Sequence, residues 1–212
     1  MKSAELGYIY DEHYPYLQEA VTRSGELGYQ LLSVAKNFGL IYKRLGLKSG
    51  DKLLDVGSCI GMTGHYLSIK GIHCYGVDVN LAALKEGQRL FGVEKRNTFI
   101  AGEASALPFV SGAFDAVISE DIFEHFPSEQ FVHDAFTNMQ RVLRPTQNKM
   151  FHKITVLEDV RHIDSDKSHF LKWPTKIWSE FFEHHGWRVT GNPTLRIPAL
   201  GAYYGFFFIE RI

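Results

Sequence analysis

One stretch constrains this chain more than any other: Leu53-Leu54-Asp55-Val56-Gly57-Ser58-Cys59-Ile60-Gly61-Met62-Thr63-Gly64. Two leucines and a valine without a turn former predict a short strand buried on both faces. Gly57 to Gly61 predict a small-residue turn, after which Met62, Tyr66, Leu67 and Ile69 fall on one face of a helix. Strand, glycine turn and helix make a ligand cradle. Glycine lets backbone approach a ligand closely, and a helix start presents unpaired N–H groups.

Spacing narrows the ligand. A dinucleotide turn needs Gly-x-Gly-x-x-Gly, whereas Gly57 and Gly61 enclose Ser58, Cys59 and Ile60. A triphosphate loop ends in Gly-Lys-Ser/Thr, and here Gly61 is followed by Met62 and Thr63. Asp55, at the strand's end, repels a pyrophosphate and favours a cation. S-adenosylmethionine, which carries an ammonium and a sulfonium, fits; a tight turn holding no ligand is the alternative.

Asp55-x-Gly57-x-x-x-Gly61 resembles the first motif of the class I S-adenosylmethionine-dependent methyltransferases, in which a further glycine usually stands where this chain has Cys59. The resemblance runs in order over residues 47–212. It takes in Asp78, the run Leu107-Pro108-Phe109, and Phe114 through the pair Glu124-His125. It closes on Asp164-x-x-x-Ser168-His169, similar to an Asp-x-Thr-His feature of the small-molecule, methyltransferase type 11-like branch but with one extra residue.

Strands alternating with helices predict an α/β fold, a three-layer α-β-α Rossmann-like sandwich. The resemblance implies a seven-stranded, mostly parallel sheet with the last strand antiparallel. It also implies that residues 1–50, a helical segment rich in tyrosine, pack beside the sheet as a lid on the S-adenosylmethionine-binding domain of residues 51–212. The donor contacts expected are Asp55, Gly57, Ser58, Cys59 and Gly61 in the turn, then Asp78, Val79, Gly102, Glu103, Ala104, Ser119 and Glu120. Asp78 lies about 20 residues past the turn, where an acid meets ribose hydroxyls. It could instead cap the helix starting near Leu81, a role Asn80 also suits. Val79 would lie against the adenine, and Glu103 stands where the family often has an Asp holding the adenine amino group.

Composition excludes other classes. With 212 residues, 45% of them hydrophobic and 22% charged, the chain suits one globular domain with a full core. A net charge of −1 supplies no field toward nucleic acid or an anionic membrane. Two cysteines, Cys59 and Cys74, make neither a disulfide framework nor a metal cluster, so a reducing, cytoplasmic setting is expected. Met1 to Glu5 lacks the apolar core of a signal peptide, and no apolar run is long enough to span a membrane. The expected partners are a small-molecule methyl acceptor, with no nucleic acid and no membrane, for a monomer or homodimer. The Asn/Asp-Pro-Pro-Tyr pattern of enzymes that methylate base amino groups is absent.

Displacement at a sulfonium methyl releases a neutral thioether, so no acid is needed, while a hydroxyl acceptor needs a base. Histidine suits that task near neutral pH. Of ten histidines, His125, just after the fourth strand, and His169, in a polar insertion, are the expected catalytic residues. Glu120, Asp121, Glu124 and His125 could ligate a metal. A solvated acidic turn is the commoner outcome, and no metal is expected. The functional expectation is methylation of a small molecule, hydroxyl favoured over carbon or nitrogen. The alternative is a donor-binding subunit without turnover, favoured by Cys59 and by Thr146-Gln147 where relatives carry glycines.

Overall fold

A computed structural model describes residues 39–91, 96–158, 168–191, 194–197 and 202–212. The tyrosine-rich start of the expected lid, and Arg161, His162, Asp164 and Asp166 of the polar insertion, lie outside the described residues.

The strand read from Leu53 is β1 (Lys52–Val56), buried from Leu53 through Val56. It pairs in parallel with β2 (His73–Asp78) and β4 (Ala116–Glu120). β2 extends to β3 (Asn97–Ala101), and β4 to β5 (Lys149–Val156), both in parallel. β8 (Ala202–Arg211) runs antiparallel between β5 and β6 (Trp187–Val189). The order β3-β2-β1-β4-β5-β8-β6 is the expected seven-stranded sheet with its last strand reversed. A four-residue β7 (Thr194–Ile197), absent from the sequence expectation, pairs with the first half of β8. β8 carries Tyr203 to Phe208, and its place inside the sheet explains that apolar run, with Phe207 and Phe208 buried.

Side chains alternate across the sheet, so each face has its own core. Leu53, Ile118, Phe151 and Phe208 pack with Ile41, from a helical stretch over residues 39–45, and with Leu67 of α1 (Met62–Ser68). Leu54, Val56, Val117 and Ile154 pack on the opposite face with Phe136 and Met139 of α3 (Glu129–Val142) and Trp178 and Phe182 of α4 (Thr175–His184). Burial on both faces confirms the three layers. Ile69 departs from the expected α1 face: the helix stops at Ser68 and Ile69 is 59% exposed.

Local signals hold at the helix ends. Ser128 caps α3 by accepting the Phe131 N–H at 3.2 Å. Asn80 caps α2 (Leu81–Phe91) by accepting the Ala83 N–H at 2.9 Å. Pro174 is the residue before α4 rather than its first, and Gly186, at φ +79°, follows its end. Strand order reverses direction between β1 and β4, and ligands of open α/β sheets bind outside the strand ends at such a point.

Candidate functional site

The carboxyl ends of β1, β2 and β4 open onto a cavity of about 260 Å³. Gly57 and Cys59 supply one wall, and Asp78, Val79 and Asn80 a second. Gly102, Glu103 and Ala104 follow β3, and Glu120, Asp121 and Ile122 follow β4. His125, Phe126 and Phe131 complete the lining.

The glycine turn is held from below. Gly57 and Ser58 donate their N–H groups to the Val77 carbonyl at 2.8 and 3.1 Å, and Gly61 donates to the Ser58 carbonyl at 2.7 Å. These amides are therefore used inside the protein, unlike the open cradle expected from the sequence. Gly61 sits at φ +75°, where a Cβ would come within 2.3 Å of the Phe99 ring. Gly57 has the same φ, and a Cβ there would meet Ile122 at 2.5 Å. Cys59 also adopts a left-handed φ, 51°, although it carries a side chain.

Asp78 organises the turn. Its carboxylate accepts the Cys59 N–H at 2.8 Å and the Asn80 N–H at 2.9 Å. Asn80, not Asp78, caps α2, which leaves Asp78 partly exposed on the cavity wall. An ionised carboxylate has about four acceptor positions, so acceptor capacity remains for a ligand. Burial raises the Asp78 pKa, against the backbone N–H groups of Asn80, Cys59 and Val79, which lower it. Glu120 accepts from the Thr63 hydroxyl at 2.6 Å. Its pKa is raised by burial, opposed by Lys153 and Thr63. Glu103 accepts from the Ser105 hydroxyl at 2.5 Å. Lys153 is pulled down by burial, but Asp121 and Glu120 more than reverse this, and it pairs with Asp121. Burial drives the Cys59 thiol up to about 12, helped by Asp78, so it stays protonated near neutrality.

Other expected contacts sit behind the wall. Asp55 is buried, its pKa raised well above the usual carboxylate range by burial, then by Glu120 and Asp78. The Ser58 hydroxyl points at Gly76, where a Cβ would meet it at 2.5 Å. Ser119 is fully buried, its hydroxyl 2.9 Å from Nδ1 of His152. Neither these three nor Gly61 line the cavity. Phe126, Phe131 and Asp121 do line it and were not among the expected contacts. Phe131 was legible only as one more apolar position of α3, because nothing in a helical period tells a core position from one at a cavity's edge.

His125 ends a short 3₁₀ turn, Phe123–His125, placed by Asp121 at φ 52°. Its Nδ1 lies 3.1 Å from the Ser168 carbonyl oxygen and 3.1 Å from the Ser168 hydroxyl. Its ring meets that of His169 edge-on, centroids 4.6 Å apart. The two histidines read separately from the sequence are thus brought together, with only His125 on the main cavity. Glu124, buried beside them, accepts the Thr155 N–H at 2.8 Å. Burial and then Asp121 raise its pKa to about 8.

A family profile described as a methyltransferase domain matches residues 54–148. Methyltransferase GfsG of Streptomyces halstedii is 29% identical over 156 residues, which cover 68% of this chain and 55% of that protein. The chain thus spans about half the length of that curated relative. The crystal structure of the [4+2]-cyclase SpnF superposes with a TM-score of 0.79 at 17% identity, covering 100% of this chain and 97% of that one. The 1,6-didemethyltoxoflavin-N1-methyltransferase of Burkholderia thailandensis, solved with 1,6-didemethyltoxoflavin and S-adenosylhomocysteine, superposes with a TM-score of 0.70 at 15% identity, covering 100% and 91%. Motif order, strand order and the matched domain agree, and together they support a class I S-adenosylmethionine-dependent methyltransferase fold carrying a methyltransferase domain over residues 54–148.

Proposed function

We propose that this chain moves a methyl group from S-adenosylmethionine to a small-molecule acceptor, a hydroxyl before a carbon or nitrogen. One observation carries the donor. Asp78, Glu103, Glu120 and Asp121 line the same cavity, and among the described residues no lysine or arginine does. Such a wall repels phosphates and favours a ligand bearing an ammonium and a sulfonium. When bound, the donor supplies an electrophilic methyl group and a neutral leaving thioether.

The chain's own residues then bind and orient. Asp78 offers its remaining acceptor capacity to vicinal ribose hydroxyls. Val79, Gly102, Glu103 and Ala104 form the adenine wall, and Gly57, Cys59 and Glu120 face the amino-acid end. Ile122, Phe126 and Phe131 keep water from the reacting centre. Holding nucleophile and methyl carbon in line lowers the barrier by at most about 7–11 kcal/mol. Among the described residues His125 is the only histidine on the main cavity's lining, so it takes the base's role for a hydroxyl acceptor.

At a hundredfold excess over the dissociation constant, S-adenosylmethionine should stabilise the fold by about 2.7 kcal/mol, seen as a rise in Tm. Asp78→Asn should remove most of that rise. No rise with donor or S-adenosylhomocysteine, and no heat in calorimetry, overturns the reading. The second reading is a donor-binding protein that does not methylate. The likeness to a fold that also carries a [4+2]-cyclase favours it. S-adenosylhomocysteine formed on incubation with a small-molecule extract decides against it.

A further inference from the structure

Glu124, His125 and His169 each present a ligand-type atom, and the three atoms lie within 4.8 Å of one another. They come from the 3₁₀ turn after β4 and from the segment before α4. Glu124 is 1% exposed, and while one carboxylate oxygen takes the Thr155 N–H, Oε2 is buried and meets no hydrogen-bond donor among the described residues. A buried carboxylate oxygen left without a donor is costly unless a cation meets it. Beside it lies a small cavity of about 10 Å³, lined in part by Glu124, Thr155, His169 and Leu171. That is about the room of one water molecule.

We propose that Glu124, His125 and His169 together hold one divalent transition-metal ion at the edge of the main cavity. Two imidazoles with one carboxylate suit manganese, iron, cobalt or zinc better than magnesium or calcium, whose sites are built from oxygen. Ligand atoms on a shared ion at about 2.1 Å lie no more than ~4.2 Å apart, so the side chains close by a fraction of an ångström on binding. Three protein ligands leave a coordination position for an acceptor oxygen, and His125 lies on the main cavity's wall. The ion's use rests on the proposed function: as a Lewis acid it would lower the acceptor hydroxyl's pKa so that the proton passes to solvent water, and no imidazole base is then needed.

The test uses the whole chain, stripped with a chelator, with no donor added and cobalt(II) as the probe. One cobalt per chain with a visible absorption band is expected. Glu124→Gln keeps the size and the Thr155 bond, and His169→Ala removes a half-buried ring; each takes away a ligand and should weaken binding by at least the roughly 10–100-fold lost with an outer-shell partner. No stoichiometric uptake overturns the proposal. So does a band that survives both variants, which would place the metal elsewhere, for example on His133 and His185, whose ring nitrogens lie 3.0 Å apart. Should Glu124→Gln fail to fold, His169→Ala decides alone. S-adenosylmethionine binding is measured on the same metal-free protein. Donor binding without cobalt binding sinks the ion alone, whereas loss of donor binding sinks the proposed function.

Discussion

Cys59 and Asp78 show how much of the site rests on single residues. Cys59 holds a left-handed backbone conformation that costs a residue with a Cβ about 1–2 kcal/mol. Its N–H is the donor that ties the turn to Asp78. Cys59→Gly should therefore stabilise the protein by up to about 1 kcal/mol in urea unfolding, less glycine's larger entropy loss and the lost contact with Ile60 and Met62. An unchanged or lower midpoint would show that the thiol's packing outweighs the strain. The departure from the family's glycine was readable from the sequence, and so was its backbone cost. That the turn's amides are spent on Val77 and Asp78 was not, since those acceptors belong to another strand.

At the scale of elements, α3 links a local signal to the site. Ser128 satisfies the Phe131 N–H, and the Phe131 ring lines the cavity from the helix's first turn. Ser128→Ala should cost about 1 kcal/mol of stability. Because fraying would start at Phe131, the donor-induced rise in Tm should shrink as well. A cap lost without any change in donor binding would detach Phe131 from the pocket. Caps and helix periods were legible at Ser128 and Asn80 because they act within three or four residues. β7 was not, since a four-residue strand lacks a period and exists only by pairing with β8.

Across the whole molecule, the site sets the dependence of stability on pH. Asp55, Asp78 and Glu120 have folded pKa values raised by burial, with like charges adding to it at Asp55. The folded state thus binds more protons than the unfolded one. The stability these groups contribute is fully present below the ordinary carboxylate range and lost as pH rises through their raised values. His152 acts oppositely. Burial lowers its pKa to about 3, so its contribution is present above the ordinary histidine range and lost as pH falls toward that value. Asp55→Asn should gain stability relative to the parent as pH rises from acid to neutral, read as the difference in unfolding midpoints. A difference independent of pH would mean that Asp55 ionises normally. The amino-acid sequence by itself determined the strand–turn–helix head, the alternation that makes three layers, the caps and the acids at the strand ends, because each is set by near neighbours along the chain. Only the tertiary structure decided which acids reach the cavity, why Asp55 and Ser119 stand behind it, and that His169 closes on His125. Those outcomes depend on which strand lies beside which, and contacts across dozens of residues leave no periodic trace in the chain.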